Sequence, residues 1–384
     1  MSVLIITNNY LDGKTGGSVA SLGFINAFPS LFSDCYLIYP VNGEQTIREI
    51  HPELKRIPCI DNRKKWEKGA GVFFGKIHRF SRLSREMISE IKPEIVVFDT
   101  SIVSHGLIDI AKKNQAKIIT IHHNVERDYF SDNPPPLIIR FPYRFYIKRA
   151  ERKCVQKSDL NLTLTMNDKS RLTELYTNTR KSDIECLGVF EPYGTESFIN
   201  AENDKKDRET IRLSITGSLG YSQSNLSIIK FVKDYFPEVA VDGLNFETVI
   251  AGSNPSEKLK HLCENKAGLK LISNPDNLSD IVAQSDIYLC PIESGSGLKL
   301  RIMDALRLGK PAIVHEISAR GYEQFVNAGF IFKYSDVPTF IKCIREVTSR
   351  EFNRDEIRKL FLNVFSFSNG VARLSKLLSG DIWK

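Results

Sequence analysis

Short apolar runs alternate with amphipathic stretches along most of the chain. Val3 to Thr7 is a β-rich run, followed by a loop carrying Gly13, Gly16 and Gly17 and then by a helical pattern from Val19 to Leu31. That order predicts strand, glycine loop, helix. Further strand-like runs occur at Cys35 to Tyr39, Ile95 to Phe98 and Lys117 to Ile121, with helical patterns such as Ser84 to Ile91 between them. Strands alternating with helices predict an α/β protein whose parallel sheet is covered on both faces.

The stretch from Glu191 to Thr210 breaks this rhythm. It is polar, contains Asn203-Asp204-Lys205-Lys206-Asp207-Arg208, has no apolar period, and is expected to be a linker. Beyond it the alternation restarts with a strand at Ile211 to Thr216, a helix near Leu226 to Tyr235, a strand at Phe246 to Ala251, a helix at Ser256 to Glu264 and a strand at Leu269 to Ile272. A short helix at Leu278 to Ala283, a strand at Ile287 to Cys290, a Gly/Ser loop, a helix at Leu300 to Leu308 and a strand at Pro311 to Val314 follow. A chain of 384 residues with 42% hydrophobic side chains can fill two such cores, and two domains imply a cleft.

The first residues enter an apolar run directly, without the basic segment and cleavage site of a signal peptide. No stretch reaches the roughly 18 uninterrupted apolar residues of a membrane span. The seven cysteines are scattered and form no Cys-x-x-Cys pair, so neither a disulfide framework nor a zinc site is indicated. We therefore expect a cytoplasmic protein in a reducing compartment. The net charge of +7 points to anionic partners, and the basic residues cluster with aromatics at Arg63 to Arg85 and at Arg140 to Lys153. Either run fits a solvated helix face or a patch for an anionic membrane surface, which would place the protein peripherally at the inner face of the cell membrane. No nucleic-acid-binding motif accompanies the charge, so nucleic acid is not an expected partner.

The segment from Pro291 to Pro311 follows a strand and opens a helix. Gly295, Ser296 and Gly297 let backbone approach a ligand closely, and a helix start presents unpaired N–H groups suited to a diphosphate. Lys299 and Arg301 add positive charge there. Asp304, about one helical turn in, can accept hydrogen bonds from sugar or ribose hydroxyls. From pattern alone, a tight turn with a solvated basic helix start serves equally well.

The same segment resembles the donor-binding signature of the GT-B glycosyltransferases. A common variant of that signature reads Gly-Ser-Gly-x-Lys-x-x-x-x-Glu-Ala-Met before Gly-x-Pro. This chain has Gly295-Ser296-Gly297-Leu298-Lys299, then Asp304-Ala305-Leu306, then Gly309-Lys310-Pro311. The group it resembles is the retaining group 1, or family four, which includes glycogen synthase-like and bacterial polysaccharide enzymes. Thr216-Gly217-Ser218-Leu219 is similar to the glycine turn that opens the family's donor domain, and Ala251-Gly252-Ser253-Asn254-Pro255 to its second strand end. Leu278 to Pro291 is similar to the helix and strand leading into the signature. The resemblance is strong over Ile211 to Tyr322. In the first half it rests on Gly16-Gly17, on His122-His123-Asn124-Val125-Glu126 and on Ser158 to Thr165.

The resemblance implies a GT-B fold of two Rossmann-like domains facing across a cleft: an acceptor domain over 1–195, a nucleotide-sugar donor domain over 210–365, and a C-terminal helix in 366–384 packing back on the first. It implies transfer of a sugar from a nucleotide-diphosphate donor to a glycan, lipid-linked or protein-linked acceptor. His123, Lys299 and Asp304 take the catalytic positions. Donor contacts fall on Gly217, Ser218, Leu219, Asn274, Gly295, Ser296, Gly297, Leu298, Lys299, Arg301 and Asp304. Gly16, Gly17, His122, Asn124 and Glu126 lie on the acceptor side, Glu126 either capping the next helix or facing the acceptor.

Two departures from the family stand out. Its two signature glutamates are here Ser296 and Asp304, and the lysine that often follows the glycine turn is absent from Gly220 to Asn225. No Asp-x-Asp occurs, so no metal or other cofactor is expected, and lysine, arginine and helix dipole would meet the phosphate charge. A nucleotide-sugar epimerase on the same scaffold and a non-catalytic binding subunit are the alternatives.

Overall fold

The computed structural model describes residues 1–13, 15–41, 50–60, 81–132, 136–176, 183–194, 210–220, 222–239, 245–264, 266–295 and 297–379. The chain divides into two compact units, Met1–Glu196 with Val364–Lys384, and Ser197–Asn363.

The first unit is built on β1 (Ser2–Thr7), β2 (Asp34–Val41), β3 (Lys55–Ile60), β4 (Ile95–Asp99), β5 (Lys117–His122), β6 (Leu160–Thr163) and β7 (Asp183–Cys186). They form one sheet in the order β3-β2-β1-β4-β5-β6-β7. All neighbours run parallel. Its helices are α1 (Gly16–Ala27), α2 (Ser81–Ile91), α3 (Ile108–Lys113), α4 (Glu126–Asp132), α5 (Leu137–Lys157) and α6 (Met166–Tyr176). The central strands β1 and β4 are buried along nearly their whole length because helices cover both faces. Leu4, Ile6, Ile38, Val96, Phe98 and Ile118 meet Ile88, Leu107 and Ala111 of the covering helices.

The second unit contains β8 (Thr210–Ser218), α7 (Ser222–Lys230, prolonged by a π turn over Phe231–Tyr235 and a short helix Phe236–Val239), β9 (Asn245–Ser253) and α8 (Glu257–Glu264). It continues with β10 (Leu269–Ser273), α9 (Leu278–Gln284), β11 (Ile287–Cys290), α10 (Arg301–Arg307), β12 (Ala312–His315), α11 (Glu323–Asn327), β13 (Ile331–Tyr334), α12 (Val337–Thr348) and most of α13 (Arg354–Phe365). The strands are parallel in the order β10-β9-β8-β11-β12-β13. In both units the strand order reverses beside the first strand, which opens a crevice at the strands' C-terminal ends.

The last helix, α14 (Phe367–Leu378), belongs to the first unit. Arg373 fixes it by donating to the carbonyls of Leu187 at 2.9 Å, Val364 at 2.6 Å and Val189 at 3.1 Å. Phe190 lies against Gly370 so closely that a Cβ there would sit 2.0 Å from the ring. The expected linker is corrected at its start: Glu191 is buried and donates its N–H to the Phe365 carbonyl at 2.8 Å. A polar residue is held there because its backbone bonds the end of α13. The rest of that stretch, 195–209, lies outside the described residues, as does most of the basic cluster Arg63 to Arg85. In the second basic cluster the aromatics divide. Tyr146 is buried and Tyr143 packs on the same core, whereas Phe141 and Phe145 stay exposed.

Candidate active site

In the first unit the candidate residues gather at the C-terminal ends of β1, β4 and β5. Thr7, Asp99 and His122 close those strands. Thr100 follows at φ 92°, a rare conformation for a β-branched residue, held by its N–H bond to the Ile121 carbonyl at 3.0 Å. This sharp exit leaves the Asp99 side chain beneath His123. The His123 Nε2 lies 2.6 Å from Asp99 Oδ1, and Asp99 is fully buried. Its other oxygen accepts from Thr7 Oγ1 and Ser21 Oγ, each at 2.5 Å.

Burial alone would raise the Asp99 pKa. The charge and hydrogen bond of His123, joined by the Ser21 and Thr7 hydroxyls, outweigh it and hold the carboxyl below its ordinary value. An ionised Asp99 accepts from the Nε2–H of His123 and so fixes the orientation of the ring. Asn9 Nδ2 donates to Ser21 Oγ at 2.8 Å, and a Cβ added at Gly17 would come within 3.5 Å of the Asn9 side chain. Asn9, and Ser21 of α1, are thereby linked through Asp99 to His123. Thr15 caps the helix that starts there, accepting from Ser18 N.

His122 is an interior residue. Its Nε2 lies 2.9 Å from Asn161 Oδ1, and burial pushes its pKa down to about 4, with Asn161 opposing. Asn124 is half-buried. Glu126 opens α4 in a buried position, and burial together with nearby Glu151 raises its pKa to about 8. At that helix start Glu151 of α5 is the acceptor: its Oε2 takes the Arg127 N–H at 3.0 Å while Tyr176 donates to Oε1 at 2.6 Å.

In the second unit the candidate donor residues surround the ends of β8 and β11. Gly217 has φ 145°, and a Cβ there would meet the Arg301 guanidinium at 2.0 Å. Only glycine permits that contact. Arg301 Nη1 also donates to the Thr216 carbonyl at 2.9 Å, so one of its five donors is committed to the β8 end. Ser218 is exposed, while Leu219 is buried and its N–H binds the Ser253 carbonyl at 2.9 Å. Asn274, at φ 49°, accepts from Asn254 N at 2.9 Å and so braces the turn that ends β9.

Gly295 has φ 93° and lies under the Gln223 side chain; a Cβ would come within 2.6 Å of its amide oxygen. The Gln223 Nε2 is buried, and among the described residues it has no hydrogen-bond partner. Ser296 lies outside the described residues, and Gly297, Leu298 and Lys299 are partly exposed. The Lys299 carbonyl accepts from the buried Tyr322 hydroxyl at 2.9 Å and from Ile302 N at 3.0 Å, which anchors the loop's exit. The following helix begins at Arg301 rather than Leu300 and ends at Arg307 rather than Leu308. Leu300 provides no side-chain cap, and the N–H groups of Ile302 and Met303 bond the carbonyls three residues back. The helix-start donors are thus partly used locally, and the short helix offers a smaller dipole than the sequence suggested.

Asp304 is paired with Arg307 at 3.3 Å. Loss of hydration among the surrounding protein raises its pKa, opposed by Arg307 and then Arg301. Half of its side-chain surface is accessible, so water screens that effect. Glu293, the carboxylate before the loop, is paired with Lys230 at 2.6 Å. Among the described residues no three His, Cys, Asp or Glu side chains converge as a metal site requires.

The sequence pattern pointed to His123 but not to Asp99, Ser21 or Thr7 around it. Asp99 had a signal: it is a carboxylate directly after the apolar Ile95 to Phe98, where a parallel sheet presents functional side chains. Gln223 had a weaker signal, its place in the Gly220 to Asn225 stretch that lacks the family's lysine, while its relation to Gly295 spans distant parts of the chain.

A family model described as glycosyl transferases group 1 matches residues 210–350. Solved structures match nearly the whole chain. A glycosyltransferase from Rickettsia africae is 13% identical with a TM-score of 0.70, covering 100% of this chain and 98% of its own. The lipopolysaccharide outer core galactosyltransferase WaaB is 13% identical with a TM-score of 0.67 over 98% and 99%. HepE of Anabaena, solved in complex with UDP and glucose, is 10% identical with a TM-score of 0.66 over 99% and 100%. At these identities the likeness establishes the GT-B fold. No curated protein sequence matches.

Proposed function

We propose that this chain, a group 1 glycosyltransferase of GT-B fold, moves a hexose-type sugar from a nucleotide-diphosphate donor to an acceptor hydroxyl, with retention at the anomeric carbon. The observation that carries this is the pair of close glycine packings at the ends of β8 and β11, Gly217 against the Arg301 guanidinium and Gly295 against the Gln223 amide, inside the segment that matches the family model. Close-approach backbone, a guanidinium, an amide and Lys299, nearby in sequence, are groups that suit a diphosphate.

As the glycosidic bond breaks, the diphosphate gains negative charge. Lys299, with the remaining donors of Arg301, would stabilise that charge more in the transition state than in the ground state. Asp304 would accept from donor hydroxyls. His123, oriented by Asp99, would hydrogen-bond the transferred sugar or stabilise charge developing on its ring. We assign no metal to the reaction, because these cations meet the phosphate charge. A glycan, lipid-linked or protein-linked acceptor is proposed, with the protein working in the cytoplasm in reversible contact with the inner membrane face. Among the described residues no helix is long and apolar enough to cross a membrane.

A thermal-shift screen across nucleotide sugars, followed by nucleotide release with and without candidate acceptors, tests this. Acceptor-dependent release that persists in EDTA is the expected result. Donor turnover without acceptor would identify an epimerase, and binding without turnover in any donor screen would identify a non-catalytic subunit. Anomeric NMR of the product decides retention.

A further inference from the structure

Helix α5 has two apolar faces, and only one packs against the rest of its unit. Tyr146, Ile147, Ala150 and Cys154 are buried, and Phe130, Tyr143 and Ile102 pack on the Tyr146 cluster. On the other side Leu137 is 78% exposed, Ile138 86%, Phe141 83% and Phe145 65%. Helical spacing puts these four on one stripe, turned away from the buried set. Among the described residues the other exposed large side chains are scattered, so this patch is a feature rather than ordinary surface.

The charges on the same helix are arranged around that stripe. Arg140 and Arg144 fall along one edge, Lys148 and Arg152 continue its axis and Arg149 lies along the other edge, all of them exposed. The carboxylate within the helix, Glu151, faces inward, where it receives the Arg127 N–H and the Tyr176 hydroxyl. An apolar stripe bordered by cations on a helix lying along the surface has the composition of an interfacial helix. A second copy of the chain would bring like charges together, whereas anionic lipid complements both the stripe and its borders.

We propose that this face of α5 docks on anionic membrane. Phe141, Phe145, Leu137 and Ile138 enter the headgroup boundary, and Arg144, Lys148 and Arg149 hold acidic phospholipid headgroups. This deepens the membrane contact proposed with the lipid-linked acceptor, but it depends on neither donor nor acceptor.

The test is co-sedimentation of the full chain with vesicles of phosphatidylcholine alone or mixed with phosphatidylglycerol. Binding to the mixed vesicles at low salt, weakened in high salt, is expected, each basic side chain contributing roughly fivefold. Phe141→Asn with Phe145→Asn should abolish binding, and Arg144→Gln with Lys148→Gln should reduce it roughly 25-fold, the product of two such contributions. Both variants should keep the wild-type circular dichroism and melting point, since their side chains are exposed. Absence of binding to mixed vesicles, or equal binding by the variants, overturns the proposal. So does a dimer in sedimentation velocity that the phenylalanine variant dissolves. Turnover of a water-soluble acceptor, measured in parallel, reports on the transferase assignment alone: vesicle binding without turnover sustains the docking surface while removing that assignment.

Discussion

Asp99 and His123 share a hydrogen bond of 2.6 Å in which the carboxylate is wholly buried and the imidazole almost so. Asp99 ends β4 and His123 directly follows the adjacent parallel strand β5, and the hydroxyls of Thr7 and Ser21 donate to the carboxylate's other oxygen. Such a group fixes the orientation and the proton of the histidine rather than touching substrate. Asp99→Asn removes the charge and leaves an amide whose N–H groups face hydroxyls that must reorganise. We expect turnover to fall roughly 100-fold, donor affinity to hold, and stability to drop by about 1–3 kcal/mol. The pH profile of kcat separates positioning from mere destabilisation: a profile of unchanged shape in a folded variant argues that Asp99 only supports the core.

Lys299 lies at the exit of the glycine loop, with its backbone carbonyl pinned by Tyr322 and its residue partly exposed. Lys299→Ala should lower kcat roughly 100-fold or more while changing stability by no more than about 0.5 kcal/mol. Asp304→Asn should raise the donor Kd roughly tenfold, since a half-exposed carboxylate loses a charge-assisted bond to a hydroxyl. Single-turnover kinetics and calorimetric titration measure the two effects. Wild-type kcat in the first variant, or wild-type Kd in the second, returns that residue to a structural role.

Much of the second unit was legible in the pattern of apolar residues. The strand Ile287 to Cys290 agrees with the pattern to the residue, because an apolar run bounded by a charge and a proline leaves little choice. Strand β3 was not legible. Its Lys55, Arg56 and Pro58 look like loop, yet an edge strand exposes alternate residues and tolerates a proline. The length of α5 was also hidden, since Pro142 lies inside it and exposed Phe141 and Phe145 blur its period. In the site, single residues at strand ends could be found, but the Asp99 network could not, because the neighbouring strands β1 and β4 it joins lie 92 residues apart in sequence at Thr7 and Asp99.

Glu126 gives the fold a pH dependence. Burial and Glu151 raise its pKa to about 8 from an ordinary value of 4.5. The folded state therefore binds a proton that the unfolded state releases, and stability from this group is complete below pH 4.5 and lost as pH rises through 8. Two other groups act with opposite sign. His122, depressed to about 4, makes stability fall on acidification below pH 6.5, and Lys310, depressed to about 7, makes it rise above that value. The difference between Glu126→Gln and wild type isolates the glutamate. Melting points of the two should diverge between pH 6.5 and 8, with the variant losing less, by an amount on the order of 1–2 kcal/mol. Parallel curves across that window would mean that Glu126 is ionised in the fold.

Gln223 supplies the last expectation. It stands in the stretch where the family often has a phosphate-binding lysine, its side chain lies over Gly295, and its buried Nε2 has no partner among the described residues. A buried N–H left unpaired costs about 1–3 kcal/mol, so its retention needs a compensating role. A phosphate oxygen of the donor would provide the missing acceptor. Gln223→Ala should then weaken donor binding roughly 5- to 30-fold while leaving the melting point of the free protein unchanged or higher, because the unpaired amide is gone. Gln223→Glu should bind still more weakly, as a carboxylate repels phosphate, and Gln223→Lys should bind at least as tightly as wild type by adding a cation where Arg301 and Lys299 already stand. Calorimetric titration with the donor found in the screen ranks the three. A Gln223→Ala variant that melts lower and binds donor as wild type does would make the glutamine a packing residue over Gly295.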